Sequence, residues 1–333
     1  MVCHTAKTKR GILHGEFFME TYDLVIVGGG PGGLSAAVYA QRARMKTLLL
    51  ERAGLGGQIA TTDIIENYLG FPSLSGPALV AEFEKHAKAV ETPVKYAMAH
   101  KIVKEGDVFG IDLGDEKIAA KSVILSSGAE PKKAGVPGEV EFLGRGVSTC
   151  GTCDGPFYRN QDIAIVGGGD TATKEAIYLS KIARKVYLVH RRGELRAEKV
   201  LQERALARPN VEFLWFHRPV EIQGDKSGVT RLIVESVETK QRKALDVMGV
   251  FVFVGVVPNT GFTDCAKDAA GFIKVDEKME SSIPGLFAVG DCRVTPLRQV
   301  AVAVGDGAIA ATMAEEYVSE MEGRLYAGKA AKE

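Results

Sequence analysis

A strand, a glycine-rich turn and a helix occur twice in this chain, in the same order and at the same spacing, and that repeat fixes the class of fold. The first copy reads Asp23-Leu-Val-Ile-Val-Gly28-Gly-Gly30-Pro31-Gly-Gly33, and its next apolar strand ends at Leu48-Leu-Leu-Glu51. The second reads Asp162-Ile-Ala-Ile-Val-Gly167-Gly-Gly169-Asp170-Thr171-Ala172 and ends at Val186-Tyr-Leu-Val-His190-Arg191-Arg192. Each copy is a G-x-G-x-x-G/A turn between a strand and a helix, the unit that binds a dinucleotide. The glycines let the backbone approach a pyrophosphate, which then rests on a helix N-terminus where free N–H groups favour anions. Two units imply two dinucleotides.

The copies differ where the adenosine is read. Glu51 ends the first unit with a carboxylate, the group that accepts from an unphosphorylated ribose, so this unit suits FAD or NAD. The aligned position in the second unit is His190, followed by Arg191 and Arg192, with Arg196 one turn on. Such a cluster matches a dianionic 2′-phosphate, which a carboxylate would repel. The expectation is FAD in the first unit and NADPH in the second.

With 333 residues the chain is long enough for two domains. Lys+Arg and Asp+Glu balance at 42 each, so no overall field recruits nucleic acid or an anionic membrane. The longest apolar run, Val247–Val257, is too short to span a bilayer and reads as one buried strand. The start of the chain lacks the apolar stretch of a secretory signal, and the five cysteines include only one close pair. A cytoplasmic protein is expected.

Residues 1–20 show no periodicity and read as a tail. Beyond the first unit come a loop at Gly54–Gln58, a helix from Gly76 to Val90, strands near Val94 and Phe109, and a buried strand at Ser122–Leu125. Strands near Val211, Val229 and Phe251 close the second unit, and a long helix runs from about Gln299 to Met321. The part after Gly261 is too small to form its own core, so it returns to the first domain. The fold expected is α/β, with two Rossmann-like dinucleotide-binding domains. An NADPH domain, 134–260, is inserted into a discontinuous FAD domain, 21–133 and 261–333, with linkers near 131 and 260.

Cys150-Gly-Thr-Cys153-Asp154-Gly155 precedes the second glycine turn. A C-x-x-C pair is either a redox dithiol or half of a zinc site, and zinc would need ligands from elsewhere. As a dithiol, one thiolate attacks and the other resolves the mixed disulfide. Asp154 is then the candidate acid–base, and no metal is expected.

From Thr21 to the last helix, the chain resembles low-molecular-weight thioredoxin reductase. The resemblance is carried by Gly28–Gly33, Gly56-Gly57-Gln58, Glu66-Asn67, Cys150-x-x-Cys153-Asp154-Gly155, Gly167–Gly169, His190-Arg191-Arg192 with Arg196, Gly290-Asp291 and Arg298-Gln299. It implies a homodimer acting on thioredoxin. It also implies flavin contacts from Gln58, Asn67, Asp291, Arg298 and Gln299, with Cys153 nearer the flavin and Cys150 attacking the protein substrate. Pro156 and Asp170 depart from the family pattern, and Asp170 is expected to be a helix N-cap turned from the phosphates. Competing readings are a reductase of a peroxiredoxin- or glutaredoxin-like protein, a small-dithiol oxidase, or a flavin-binding sensor. A ferredoxin–NADP reductase of the same fold would lack the dithiol.

Overall fold

The computed structural model describes residues 12–13, 16–17, 20–62 and 64–324. Most of the expected tail lies outside the described residues. Ile12–Leu13 and Glu16–Phe17, which carry no sequence periodicity, pair as two short antiparallel strands. The chain divides into two compact units: residues up to Ala129 with those from Pro258 onward, and Glu130–Val257.

In the first unit, Thr21–Val27 is apolar where it matters, and Leu24, Val25 and Ile26 are fully buried. An apolar strand without alternation must be covered on both faces, as parallel sheets are. Accordingly, Thr21–Val27 lies parallel between Thr47–Glu51 and Lys117–Leu125. Lys117–Leu125 is long enough to serve two partners on its other edge. Its first half pairs antiparallel with Val108–Asp112, which continues to Lys101–Glu105. Its second half pairs in parallel with Leu286–Ala288, and this pairing returns the end of the chain to the first sheet.

Two helices cover that sheet. Pro31–Arg42 starts with proline in its first turn, where the missing N–H is no loss. Val300–Met321 crosses it closely, and a side chain at Gly307 would fall 2.2 Å from the carbonyl oxygen of Gly32. Small residues at this crossing bring the two backbones together.

The second unit repeats the plan. Val147–Ser148, Gly249–Phe253, Asp162–Gly167, Lys185–His190 and Val211–Trp215 form a five-stranded parallel sheet in that order. A three-stranded antiparallel sheet of His217–Asp225, Gly228–Ser236 and Arg242–Asp246 accompanies it. The internal repeat therefore extends beyond the thirty or so residues of one βαβ unit to a parallel sheet plus an antiparallel meander in each unit.

Two expectations change. The apolar run Val247–Val257 is two strands, Gly249–Phe253 and Val256–Pro258, because Gly255 between them has a φ of +124°. The units part at Ala129/Glu130 and Val257/Pro258, a few residues ahead of the expected boundaries. The connecting segments are strands, Ala129–Pro131 and Val256–Pro258, and they pair with each other.

Candidate functional site

The first glycine turn follows Thr21–Val27 and opens the helix Pro31–Arg42. Gly28 has a φ of +107°, and a side chain at Gly33 would fall 1.9 Å from the Gly28 carbonyl oxygen, so neither position admits another residue without rearrangement. Gly30, extended and with open space where a side chain would lie, caps the helix at the mouth of the turn. Pro31 is the first helical residue. Glu51 ends the neighbouring strand, and its carboxylate accepts from the Gly29 N–H at 2.7 Å and the Ala53 N–H at 2.9 Å. The acid that distinguishes this unit is thus locked against the turn.

Gly57 and Gln58 lie not in a plain loop but in a 3₁₀ turn, Gly57–Thr61, and the Gln58 amide donates to the Ala129 carbonyl. Asn67 donates to the Gln299 side chain at 3.1 Å across 232 positions of sequence, so two residues expected at one site do meet. Gln299 stands at the N-cap of Val300–Met321. Arg298 lays its guanidinium 4.2 Å from the centre of the Phe272 ring, and its buried Nε has no hydrogen-bond partner among the described residues. Burial holds the Asp291 carboxyl above the ordinary aspartate value; the Arg298 charge opposes that shift and the Asp306 carboxylate adds to it.

Sequence reasoning missed the pair that anchors this corner. Arg293 and Asp306 form a two-pronged ion pair at 2.7 Å for each contact, and Asp306 also accepts from the Gly290 N–H at 2.9 Å. Both side chains are nearly buried. Removing one partner of a buried pair strands the other charge, at a cost of about 3–5 kcal/mol. Asp306→Ala should therefore lower the thermal unfolding midpoint by several degrees, whereas an unchanged midpoint would show that the pair does not hold Gly290 and Asp291 in place.

In the second unit, the helix Asp170–Leu179 follows the turn. The expectation of an Asp170 cap is corrected: Gly169 is the N-cap, while the Asp170 carboxylate accepts from the Glu198 N–H at 2.9 Å. That bond ties the first helical residue to the loop after the basic cluster. Thr171 is exposed on the same first turn. A side chain at Gly167 would fall 2.7 Å from Cβ of Ala172, so the first position of this fingerprint has no room for another residue.

The basic cluster separates into two kinds of residue. Arg191, Arg192 and Arg196 are exposed. His190 is buried, its ring standing where a side chain of Gly168 would be. Burial lowers its pKa below the usual histidine value, and the Arg196 and Arg192 charges press the same way. It is therefore neutral near pH 7, and charge recognition falls to the arginines.

Cys150 and Cys153 are joined by a disulfide with their Cα atoms 5.4 Å apart. Cys150 caps the short helix Gly151–Asp154 and its sulfur accepts from the Cys153 N–H at 3.2 Å; the Thr152 hydroxyl lies 3.4 Å from the same sulfur. A sulfur at a helix N-terminus is placed to be stabilised as thiolate. Asp154 ends this turn, and its charge adds to burial in raising the Tyr158 hydroxyl. A carboxylate oxygen of Glu175 occupies the place of a Gly151 side chain, a contact with no local sequence signal. Cys292, outside this group, is fully buried; burial raises its thiol to about 11, and the Leu125 and Val289 carbonyls, each 3.3 Å from its sulfur, are the acceptors open to its single S–H.

Residues 22–307 match the family model for pyridine nucleotide-disulphide oxidoreductases. The chain belongs to that family. It is 40% identical over 312 residues to a thioredoxin reductase of Bacillus subtilis, covering 92% of this chain and 98% of the relative. It is 42% identical over 307 residues to a thioredoxin reductase of Treponema pallidum, covering 91% and 100%. Among solved structures, thioredoxin reductase of Lactococcus lactis matches with a TM-score of 0.87 at 40% identity, over 90% of this chain and 99% of the other. Members of the family pair flavin with pyridine nucleotide, and the matched stretch contains both glycine turns described above. Among the described residues, no helix is long and apolar enough to cross a membrane.

Proposed function

We propose that the protein is an NADPH-dependent thioredoxin-disulfide reductase that holds FAD in the first unit and NADPH in the second. The observation that carries this reading is the Cys150–Cys153 disulfide, exposed at Cys153 and built into the same unit as a nucleotide turn flanked by free-standing arginines. The relatives named thioredoxin reductase support thioredoxin as the disulfide substrate.

The residues suit both groups. The first unit offers a turn that admits only glycine at its close contacts, the desolvated Asp291, and the orphaned Nε of Arg298. Gly28, Gly30, Pro31, Gly33, Glu51, Gly57, Gln58, Asn67, Asp291, Arg298 and Gln299 would hold FAD. The second unit offers Gly167, Gly169, Asp170, Thr171 and a neutral His190 whose buried Nε2 has no partner among the described residues. Arg191, Arg192 and Arg196 would hold the 2′-phosphate of NADPH. A bound flavin supplies two-electron chemistry between a nicotinamide and a disulfide, which do not readily react with each other directly.

The protein's own part is proton and sulfur chemistry. In the reduced form, the Cys150 thiolate, stabilised by the Cys153 N–H, attacks a sulfur of the substrate disulfide and breaks its S–S bond. Cys153 then attacks Cys150, which reforms the resident disulfide and releases the substrate as a dithiol. Asp154 holds the proton that leaves Cys153 or protonates the departing thiolate. Assembly as a homodimer and a cytoplasmic setting complete the reading; the first is carried by the family resemblance and the second by cysteine usage unlike that of a secreted scaffold.

The test is to purify the protein, expect a yellow preparation with one FAD per chain, and follow NADPH consumption with thioredoxin as acceptor. Turnover that requires thioredoxin supports the reading. Turnover with a peroxiredoxin, or with no protein disulfide, would replace it.

A further inference from the structure

The strand Val211–Trp215 ends with Trp215 paired to His190. The next residue, Phe216, turns the chain out of the parallel sheet and into His217–Asp225 with a φ of +57°. In that left-handed region a bulky side chain is an outlier, and such residues persist where the surroundings over-determine them. Here the surroundings are the arginine loop. The Phe216 N–H donates to the Arg192 carbonyl at 3.3 Å, and the Phe216 carbonyl accepts from Val237 at 2.7 Å. The end of the Phe216 ring lies 2.5 Å from where a Gly193 side chain would begin, although the residue as a whole is 40% exposed.

The loop from His190 to Arg196 is thereby held at three points. His190 is wedged beneath Gly168. Arg196 donates its N–H to the Gly168 carbonyl at 2.7 Å. Both of these ties fix the loop's ends to the glycine turn, while Phe216 meets its middle, at Arg192 and Gly193. Arg191 and Arg192 are exposed side chains on that middle.

We infer that Phe216 is a positioning residue for coenzyme choice: its ring and backbone N–H hold the Arg192–Gly193 segment so that the arginines meet a 2′-phosphate. A ring whose end abuts a residue without a side chain leaves that segment little freedom. The ordering that binding would otherwise require is then already done in the free protein. The inference rests on the assignment of NADPH to the second unit.

The test uses two fragments, 2′,5′-ADP and 5′-AMP, which differ only in the 2′-phosphate, with binding measured by calorimetry on the full flavoprotein. Phe216→Asn keeps a residue that tolerates the left-handed conformation and removes the ring. The expected result is a loss of roughly fivefold or more in affinity for 2′,5′-ADP, little change for 5′-AMP, and an unchanged thermal midpoint. Gly193→Ala should act in the same direction by displacing the ring. In the Phe216→Asn background the alanine should cost nothing further, because the atom it strikes is gone.

If both single variants keep the wild-type ratio of affinities, Phe216 is only a turn and the inference is overturned. Should Phe216→Asn unfold early, the ratio for Gly193→Ala decides in its place. A wild type that binds the two fragments equally would instead remove the NADPH assignment itself, a distinct failure.

Discussion

Cys153→Ser is expected to abolish thioredoxin reduction, by on the order of a thousandfold or more, while NADPH still bleaches the flavin. The asymmetry follows from what each step needs. Reducing a disulfide by exchange takes two sulfurs: one forms the mixed disulfide, and the other breaks it and carries away the oxidised state. With serine at 153, Cys150 can attack but nothing resolves the adduct and no resident disulfide can form. Hydride arrival at the flavin needs neither thiol. Cys153 is exposed, and the hydrogen bond that its backbone N–H donates to the Cys150 sulfur does not depend on its side chain, so the fold should tolerate loss of the disulfide. Rapid-mixing absorbance of the flavin, alongside steady-state NADPH loss with thioredoxin, separates the two steps. Full turnover in the variant would falsify the dithiol route, and slow bleaching would place Cys153 in the nicotinamide half-reaction.

What could be read in the sequence is what is local. The two glycine turns announce themselves because strand, turn and helix follow within one βαβ unit, and Glu51 and His190, with Arg191 next to it, lie at the same offset in each. The buried parallel strands are continuous apolar runs, for which burial on both faces is the physical reason. The antiparallel strands were harder. Lys101–Glu105 carries three charged residues in five and buries only Ile102 fully, so its membership of a sheet depends on pairing with Val108–Asp112 rather than on its own pattern. His217–Asp225 is the same case, with only Ile222 buried. Val247–Val257 misled in the opposite direction: its composition is that of one strand, and a single glycine in a left-handed conformation divides it.

Site residues divide along the same line. Asn67 and Gln299 meet across most of the chain, and a family resemblance, not spacing, pointed to both. Arg293 with Asp306, Glu175 against Gly151, and Phe216 against Gly193 are contacts between segments that folding alone brings together. His190 shows how charge type can mislead. In sequence it heads a basic cluster, yet its strand ends on the buried side of the turn, and desolvation makes it neutral. Its arginine neighbours, one and two residues later, are past the strand and reach solvent.

That division sets the expectation for coenzyme choice. Arg191→Ala combined with Arg192→Ala should raise the KM for NADPH by at least roughly tenfold, while flavin content and NADH turnover change little. A hydrogen bond to a charged partner contributes on the order of 1.5–3 kcal/mol. Both side chains are exposed, so solvent screening reduces that contribution, and neighbouring contacts do not add in full. Tenfold needs only about 1.4 kcal/mol, which leaves a wide margin after both discounts. NADH lacks the phosphate and has little to lose, so the ratio of the two coenzymes is a better measure than either alone. Buried His190 should not compensate, because a neutral ring beneath the turn cannot replace a guanidinium in solvent. Steady-state kinetics with both coenzymes, at fixed ionic strength because the contact is electrostatic, give the answer. A double variant that still prefers NADPH would move the phosphate site away from this loop, and with it the reason the second unit ends on arginines where the first ends on Glu51.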